Sequence, residues 1–143
     1  IKKGKMKKIK LRLLDFLTLE DELTKGERAL ISQKLSMTVK YWLNALLKNV
    51  QVETENCNNI KNELIKKYGK ETNGNITIEY KVKNYQGEET ISEDFLRFND
   101  EYLPVLNIEK ELEYKEFKLE DFAEVHSEGY YPVFYQLVSA PEL

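Results

Sequence analysis

The stretch MTVKYWLNALLKNVQVETENCNNIKNELIKKY, residues 37–68, decides the fold. Its apolar side chains recur on a seven-residue repeat: Val39, Leu43, Leu46 and Val50, then Glu53, then Cys57, Ile60 and Leu64. Steps of four and three alternate throughout, so these positions share one side of an α-helix, and only Glu53 interrupts the stripe. At 1.5 Å per residue the helix is on the order of 45–50 Å long, more than a compact domain of this size needs. Its stripe requires an apolar partner, in the same chain or in another one. A carboxylate at a seam position is costly to bury unpaired. Glu53 is therefore expected to be solvated or paired with a lysine, and the Asn-rich segment 53–59 to kink or fray. Ser36 stands where an N-cap belongs, and Gly69 where a left-handed stop belongs.

Upstream, LRLLDFLTLEDEL (11–23) suits a short buried helix, with Leu13, Leu14, Phe16, Leu17, Leu19 and Leu23 as its apolar residues; alternation at Ile9, Leu11 and Leu13 leaves a strand over 8–14 open. Gly26 ends this segment, and Glu27–Leu35 reads as a second short helix. Lys2, Lys3, Lys5, Lys7, Lys8 and Lys10 mark residues 1–10 as a flexible basic N-terminus.

Downstream of Asn73-Gly74, a strong turn signal, the period changes to two. Ile76, Ile78, Tyr80 and Val82 alternate with polar residues, as in a half-exposed strand. Residues 84–87 read as a turn and 88–91 as a short return strand. Ser92 caps a helix, SEDFLRFNDEYL, that Pro104 is expected to end. Residues 108–119 read as a strand with Leu112 and Tyr114 on one face, and YYPVFYQLV (130–138) as an aromatic one. The expected fold is α+β: a long central helix with short N-terminal helices, packed on a small antiparallel sheet built from 76–83, 108–117 and 131–138. The chain reads as one domain over 1–143, with a helical half at 11–70 and a mixed half at 71–143.

Composition bounds the function. At 143 residues, 41% hydrophobic and 33% charged, the chain is globular rather than disordered. Apolar runs are short and broken by charges, which excludes a transmembrane helix, and the basic opening lacks the apolar segment of a signal peptide. Cys57 is the only cysteine, so no internal disulfide forms, which suits a reducing cytoplasm. His126 is the only histidine. No Cys–His zinc set, nucleophile–base pair or glycine-rich phosphate loop can be assembled. No catalytic, cofactor-binding or metal-ligating residue is assigned, and Cys57 reads as a packed thiol. Glu109, Glu111 and Glu113 read as the wet face of a strand rather than cation ligands.

The charge is polarised along the chain. Residues 1–70 carry 16 basic and 8 acidic side chains, residues 71–143 only 6 basic against 17 acidic. Two solvated faces are the preferred reading over a steering field. The lysine cluster reads as a solvated tail in preference to a nucleic-acid contact.

LSMTVKYWLNALLKNV (35–50), NELIKKYGKETNGNITIE (62–79) and DFLRFNDEYLPVLNIEKELEYKEFKLEDF (94–122) follow one another in an order that resembles small bacteriophage proteins of unknown function. The resemblance covers about residues 35–122. It is anchored on Tyr68, Gly69, Asn73, Gly74, Phe95, Leu103, Leu106, Leu112 and Leu119, which are helix-stop and packing residues. Residues 79–91 and the aromatic tail depart from it. It implies a viral or prophage origin, in the bacterial host cytoplasm or the virion, and no catalytic residue.

Three functions compete. A non-enzymatic phage protein acting as a subunit or adaptor in a protein assembly comes first, with a protein partner or a homo-oligomer and no membrane. A host-directed inhibitor module follows, using the acidic 88–128 region as a nucleic-acid mimic. An enzyme comes third. For assembly, apolar surface is expected at the distal end of the long helix, Ile60, Leu64, Ile65 and Tyr68, or on the tail, Tyr130, Tyr131 and Phe134.

Overall fold

The computed structural model describes residues 6–123, 125 and 131–139. The elements run β1 (Met6–Arg12), α1 (Leu13–Thr24), α2 (Met37–Tyr68), β2 (Lys70–Thr72), β3 (Asn75–Thr77), β4 (Lys81–Lys83), β5 (Glu89–Ile91), α3 (Glu93–Leu106), β6 (Glu109–Lys115), β7 (Phe117–Lys118) and β8 (Val138–Ser139), with 3₁₀ turns at Leu30–Ser32, Leu119–Phe122 and Phe134–Leu137. The fold is α+β, with a long central helix and small two-stranded sheets, three of them antiparallel. The chain divides into two compact units: residues 1–54 with 109–143, and residues 55–108.

The first unit is built on the pairing of β1 with β6, in register from Met6↔Lys115 to Arg12↔Glu109. Residues 6–10 are therefore strand, not flexible terminus. The lysines are held there because Leu11 on β1 and Leu112 and Tyr114 on β6 turn inward and are buried. The Arg12 backbone N–H donates to the Asp15 carboxylate (3.2 Å), closing the first turn of α1. Helix α1 buries Leu13, Phe16, Leu19 and Leu23, while Leu14 stays exposed. Only Leu30–Ser32 of the expected second helix forms, as a single 3₁₀ turn.

Ser36 caps α2 as expected, its Oγ accepting from Val39 N–H at 3.2 Å. The helix runs unbroken through the Asn-rich segment. Val39, Leu43, Leu46 and Val50 are buried. The seam then moves from Glu53, which is half-buried, to Thr54, which is buried. A straight helix of 3.6 residues per turn drifts away from a strict heptad, and Thr54 takes the position that the repeat assigns to Glu53. Its hydroxyl donates to Glu20 Oε2 (2.5 Å), so the one polar group in the seam is satisfied. Asn49 Nδ2 donates to Glu113 O (3.2 Å), tying α2 to β6.

The tail is not the third strand of a sheet. Residues 134–137 form a 3₁₀ turn, and only Val138–Ser139 pair, in parallel, with β7. The cause is local. Phe134 packs against Phe117 and Phe122, both at 5.2 Å between ring centroids. Glu22 accepts from the N–H of Val133 (3.3 Å) and Phe134 (3.0 Å), which binds the start of the turn.

The second unit contains the far end of α2, two short hairpins and α3. The expected strand 76–83 is split into β3 and β4, which belong to different hairpins. Asn73 (φ 52°) and Gly74 (φ 83°) make the tight turn between β2 and β3. Gly69, by contrast, does not take the left-handed form. It is glycine because a Cβ there would sit within 3 Å of Ile65 O, Ile76 Cγ2 and Thr77 O; the hairpin closes directly onto the helix end. Ser92 caps α3, accepting from Phe95 N–H at 3.0 Å. Helix α3 continues past Pro104 to Leu106, since a proline so near the C-terminus removes only one bond of the last turn.

Candidate protein-contact surface

The first unit settles its charges internally. Across the β1–β6 ladder Lys8 lies opposite Glu113, Lys10 opposite Glu111 and Arg12 opposite Glu109. Lys8 Nζ is 3.5 Å from Glu111, and Lys7 Nζ is 3.4 Å from Glu116. The basic start and the acidic later half, read from the sequence as opposed regions, are two strands of one sheet, where such pairs contribute roughly 0.2–1 kcal/mol each. Along this ladder the opposite charges of the two halves of the sequence are paired rather than segregated. The acidic face of β6, offered in sequence as part of a nucleic-acid-mimicking region, is matched by the cations beside it.

The second unit is different. Its buried apolar residues are Cys57, Phe98 and Tyr102, and Ser92 is its one buried polar residue. A row of rings runs outward from this small core: Tyr102 to Phe98 at 5.3 Å, Phe98 to Phe95 at 6.4 Å, and Phe95 to Tyr80 at 4.7 Å, where half of Tyr80 is exposed. Burial raises the pKa of the Tyr102 hydroxyl, and the Cys57 thiol beside it raises it further. Cys57 is a packed thiol, as the stripe implies.

Around this core stand Ile60, Ile76, Tyr80, Tyr85, Ile91, Leu96, Leu103 and Ile108, all exposed. Leu96 and Leu103 are two turns apart on α3 and lie on a different face from the buried Phe98 and Tyr102.

The residues expected at the distal end of α2 are accessible: Ile60 is exposed, and Leu64, Ile65 and Tyr68 are half-buried. Tyr68 Oη donates to Glu101 in a short bond. Lys67 Nζ donates to both carboxylate oxygens of Glu101 at 3.1 and 3.2 Å and lies 5.1 Å from the Tyr68 ring centroid. The Tyr68 and Lys67 hydrogen bonds hold the Glu101 pKa below its ordinary value. The Glu101 and Tyr68 hydrogen bonds, followed by the Glu101 charge, raise that of Lys67.

The tail residues do not join this surface. Tyr131 and Phe134 are buried, Tyr131 donating its hydroxyl to Arg28 O at 2.6 Å. Phe134 is held in core by Phe117 and Phe122, and its N–H, with that of Val133, by Glu22. Tyr130 and His126 lie outside the described residues.

Among the described residues no three His, Cys, Asp or Glu side chains converge as they would around a metal ion, and no helix is long and apolar enough to cross a membrane. Comparison with protein-family models, with curated proteins and with solved structures found no match.

Proposed function

We propose that this protein is a non-enzymatic phage protein that works as a subunit or adaptor in a larger protein assembly. The observation that carries the proposal is the second unit's surface: eight large apolar side chains exposed around a core of three. Where such side chains form a contiguous patch of more than a few hundred Å², they mark a contact site. The resemblance over residues 35–122 supplies the viral context. An acidic inhibitor module has less support, because the glutamates of β6 face the cations of β1.

Sedimentation tests the proposal, run on the purified protein and on an extract of the cells that make it. The expected result is a species larger than the 16.9 kDa chain in at least one of the two. Replacing Ile60 and Leu103 by glutamate should return a folded monomer. A 16.9 kDa species in both preparations would overturn the assembly function.

A further inference from the structure

Asn73-Gly74 is the one Asn-Gly pair in the chain. It forms the tip of the β2–β3 hairpin, a two-residue turn between the paired Thr72 and Asn75. Both residues are exposed, and a Cβ added at Gly74 would meet nothing within 4 Å. Among the described residues, no hydrogen bond occupies the Asn73 carboxamide or the Gly74 N–H. Asparagine is among the thermolabile residues, because the backbone nitrogen that follows it can attack its side-chain carbonyl. A following glycine opposes that attack least, having no Cβ to obstruct it and the widest backbone freedom.

Other asparagines are guarded. Asn84 Oδ1 accepts from the N–H of Gln86 (2.9 Å) and Glu88 (3.0 Å). Asn107 Nδ2 donates to Leu103 O (3.1 Å), and the next amide, Ile108 N–H, donates to Val105 O (3.1 Å). Within α2 the amide after each asparagine is tied into the helix. Ring closure at Asn73 needs its turn to open, and little keeps that turn shut. Strands β2 and β3 have three residues each, all exposed. A hairpin that small is marginal in water, so its openings are cheap. Its base is packed on the end of α2, where Ile76 and Thr77 crowd Gly69.

We propose that Asn73 is a site of spontaneous deamidation that loosens the β2–β3 hairpin as the protein ages. The Gly74 nitrogen gives its proton to hydroxide and bonds to the Asn73 side-chain carbonyl carbon. The Cγ–Nδ2 bond breaks, and ammonia leaves with a proton drawn from water. Water then opens the cyclic imide at either of its carbonyls. One product is aspartate; the other is isoaspartate, whose main chain runs through the side-chain carbon. Nothing is oxidised or reduced, and water is the only co-reactant. Aspartate adds a charge to the tip. Isoaspartate also adds a methylene to the main chain of a two-residue turn, and turn length sets the register of a hairpin. The Thr72↔Asn75 and Glu71↔Ile76 pairs then fail, and Ile76 is released from the end of α2. This chemistry is independent of the assembly function.

Peptide mapping by mass spectrometry tests it on the full, folded chain, kept warm at mildly alkaline pH. The peptide carrying Asn73 should gain the mass of water less that of ammonia, faster as hydroxide rises, and split into two products of equal mass. Peptides carrying Asn84 and Asn107 should stay unchanged over the same time. Asn73→Gln, whose longer side chain must close a larger ring, should abolish the gain; a matching far-UV circular dichroism spectrum confirms that it is folded. Hydrogen exchange should show residues 70–77 losing protection in the isoaspartate fraction. Fresh Asn73→Asp, which carries the charge without the methylene, should keep it. No gain at Asn73 in the folded chain, an equal gain at Asn84, or a gain that persists in Asn73→Gln would overturn the site. Unaltered protection of 70–77 in the isoaspartate fraction would overturn the loosening, and equal loss in Asn73→Asp would overturn the methylene as its cause.

Discussion

The two units differ in how much apolar core stands behind their surfaces. Among the described residues the first buries nineteen apolar side chains, including Phe16, Leu19, Leu43 and Phe134 at 0–1% exposure, against seven large ones exposed, and pairs strand lysines with strand glutamates. The second buries three and leaves eight large ones exposed. Both contain part of the same helix, since α2 gives residues 37–54 to one and 55–68 to the other. The same heptad thus serves two purposes. Upstream of Thr54 it is a core seam, and downstream of Cys57 its members Ile60 and Leu64 are exposed and half-buried. A regular apolar repeat specifies a helix face that wants a partner, but not whether that partner lies in the same chain.

The comparison breaks first at its strongest contrast. Phe134→Ala in the first unit should cost about 3–5 kcal/mol, because it empties the middle of the Phe117–Phe122 cluster; thermal or urea unfolding measures it. Phe98→Ala in the second unit should fall at the lower end of that range and act locally. Hydrogen exchange should show amides of 55–108 losing protection while those of β1, β6 and α1 keep theirs. Equal loss in both would mean that the units do not open separately.

Glu22 sharpens the picture of the first unit. Glu22→Ala strands the buried amides of Val133 and Phe134 and should cost about 1–3 kcal/mol. Desolvation is the largest influence on this carboxyl and raises its pKa above the ordinary 4.5, against the two backbone hydrogen bonds that lower it. The folded chain therefore holds this proton more tightly than the unfolded chain does. Glu22's contribution to stability is fully present below about pH 4.5 and is lost as the pH rises through the raised value. Unfolding free energies of wild type and Glu22→Gln across that window should diverge with this sign. A wild type gaining on the variant as pH rises would show that the hydrogen bonds outweigh burial. The smallest effect belongs to the contact surface: Leu103→Ala should change monomer stability by no more than about 0.5 kcal/mol, yet weaken association.

Much of the fold was legible in the sequence. A periodicity broken only at Glu53 marked α2, Ser36 and Ser92 marked two helix starts, and the change of period at Asn73-Gly74 marked the hairpins. What was not legible depended on partners distant in sequence. The lysines at 7–10 look like a solvated tail until β6 comes to lie beside them, a pairing across a hundred residues. The alternation at Val133, Tyr135 and Leu137 looks like a strand, but Glu22 bonds the amides that start the 3₁₀ turn and Phe134 is drawn into an aromatic cluster. Gly69 reads as a left-handed stop, whereas its cause is the crowding of Ile76 and Thr77. Part of the candidate surface, the exposed Ile60 with the half-buried Leu64, came from the stripe. Leu96, Leu103 and Tyr85 did not, because exposure of an apolar residue depends on how much core its unit can offer.

Hydrogen–deuterium exchange as a function of protein concentration compares the two units in one experiment. If a second copy covers part of the second unit, amides of the 81–91 hairpin should exchange more slowly at high concentration. Those of α1 and the β1–β6 ladder should stay unchanged. Exchange that is independent of concentration throughout 55–108 would contradict it.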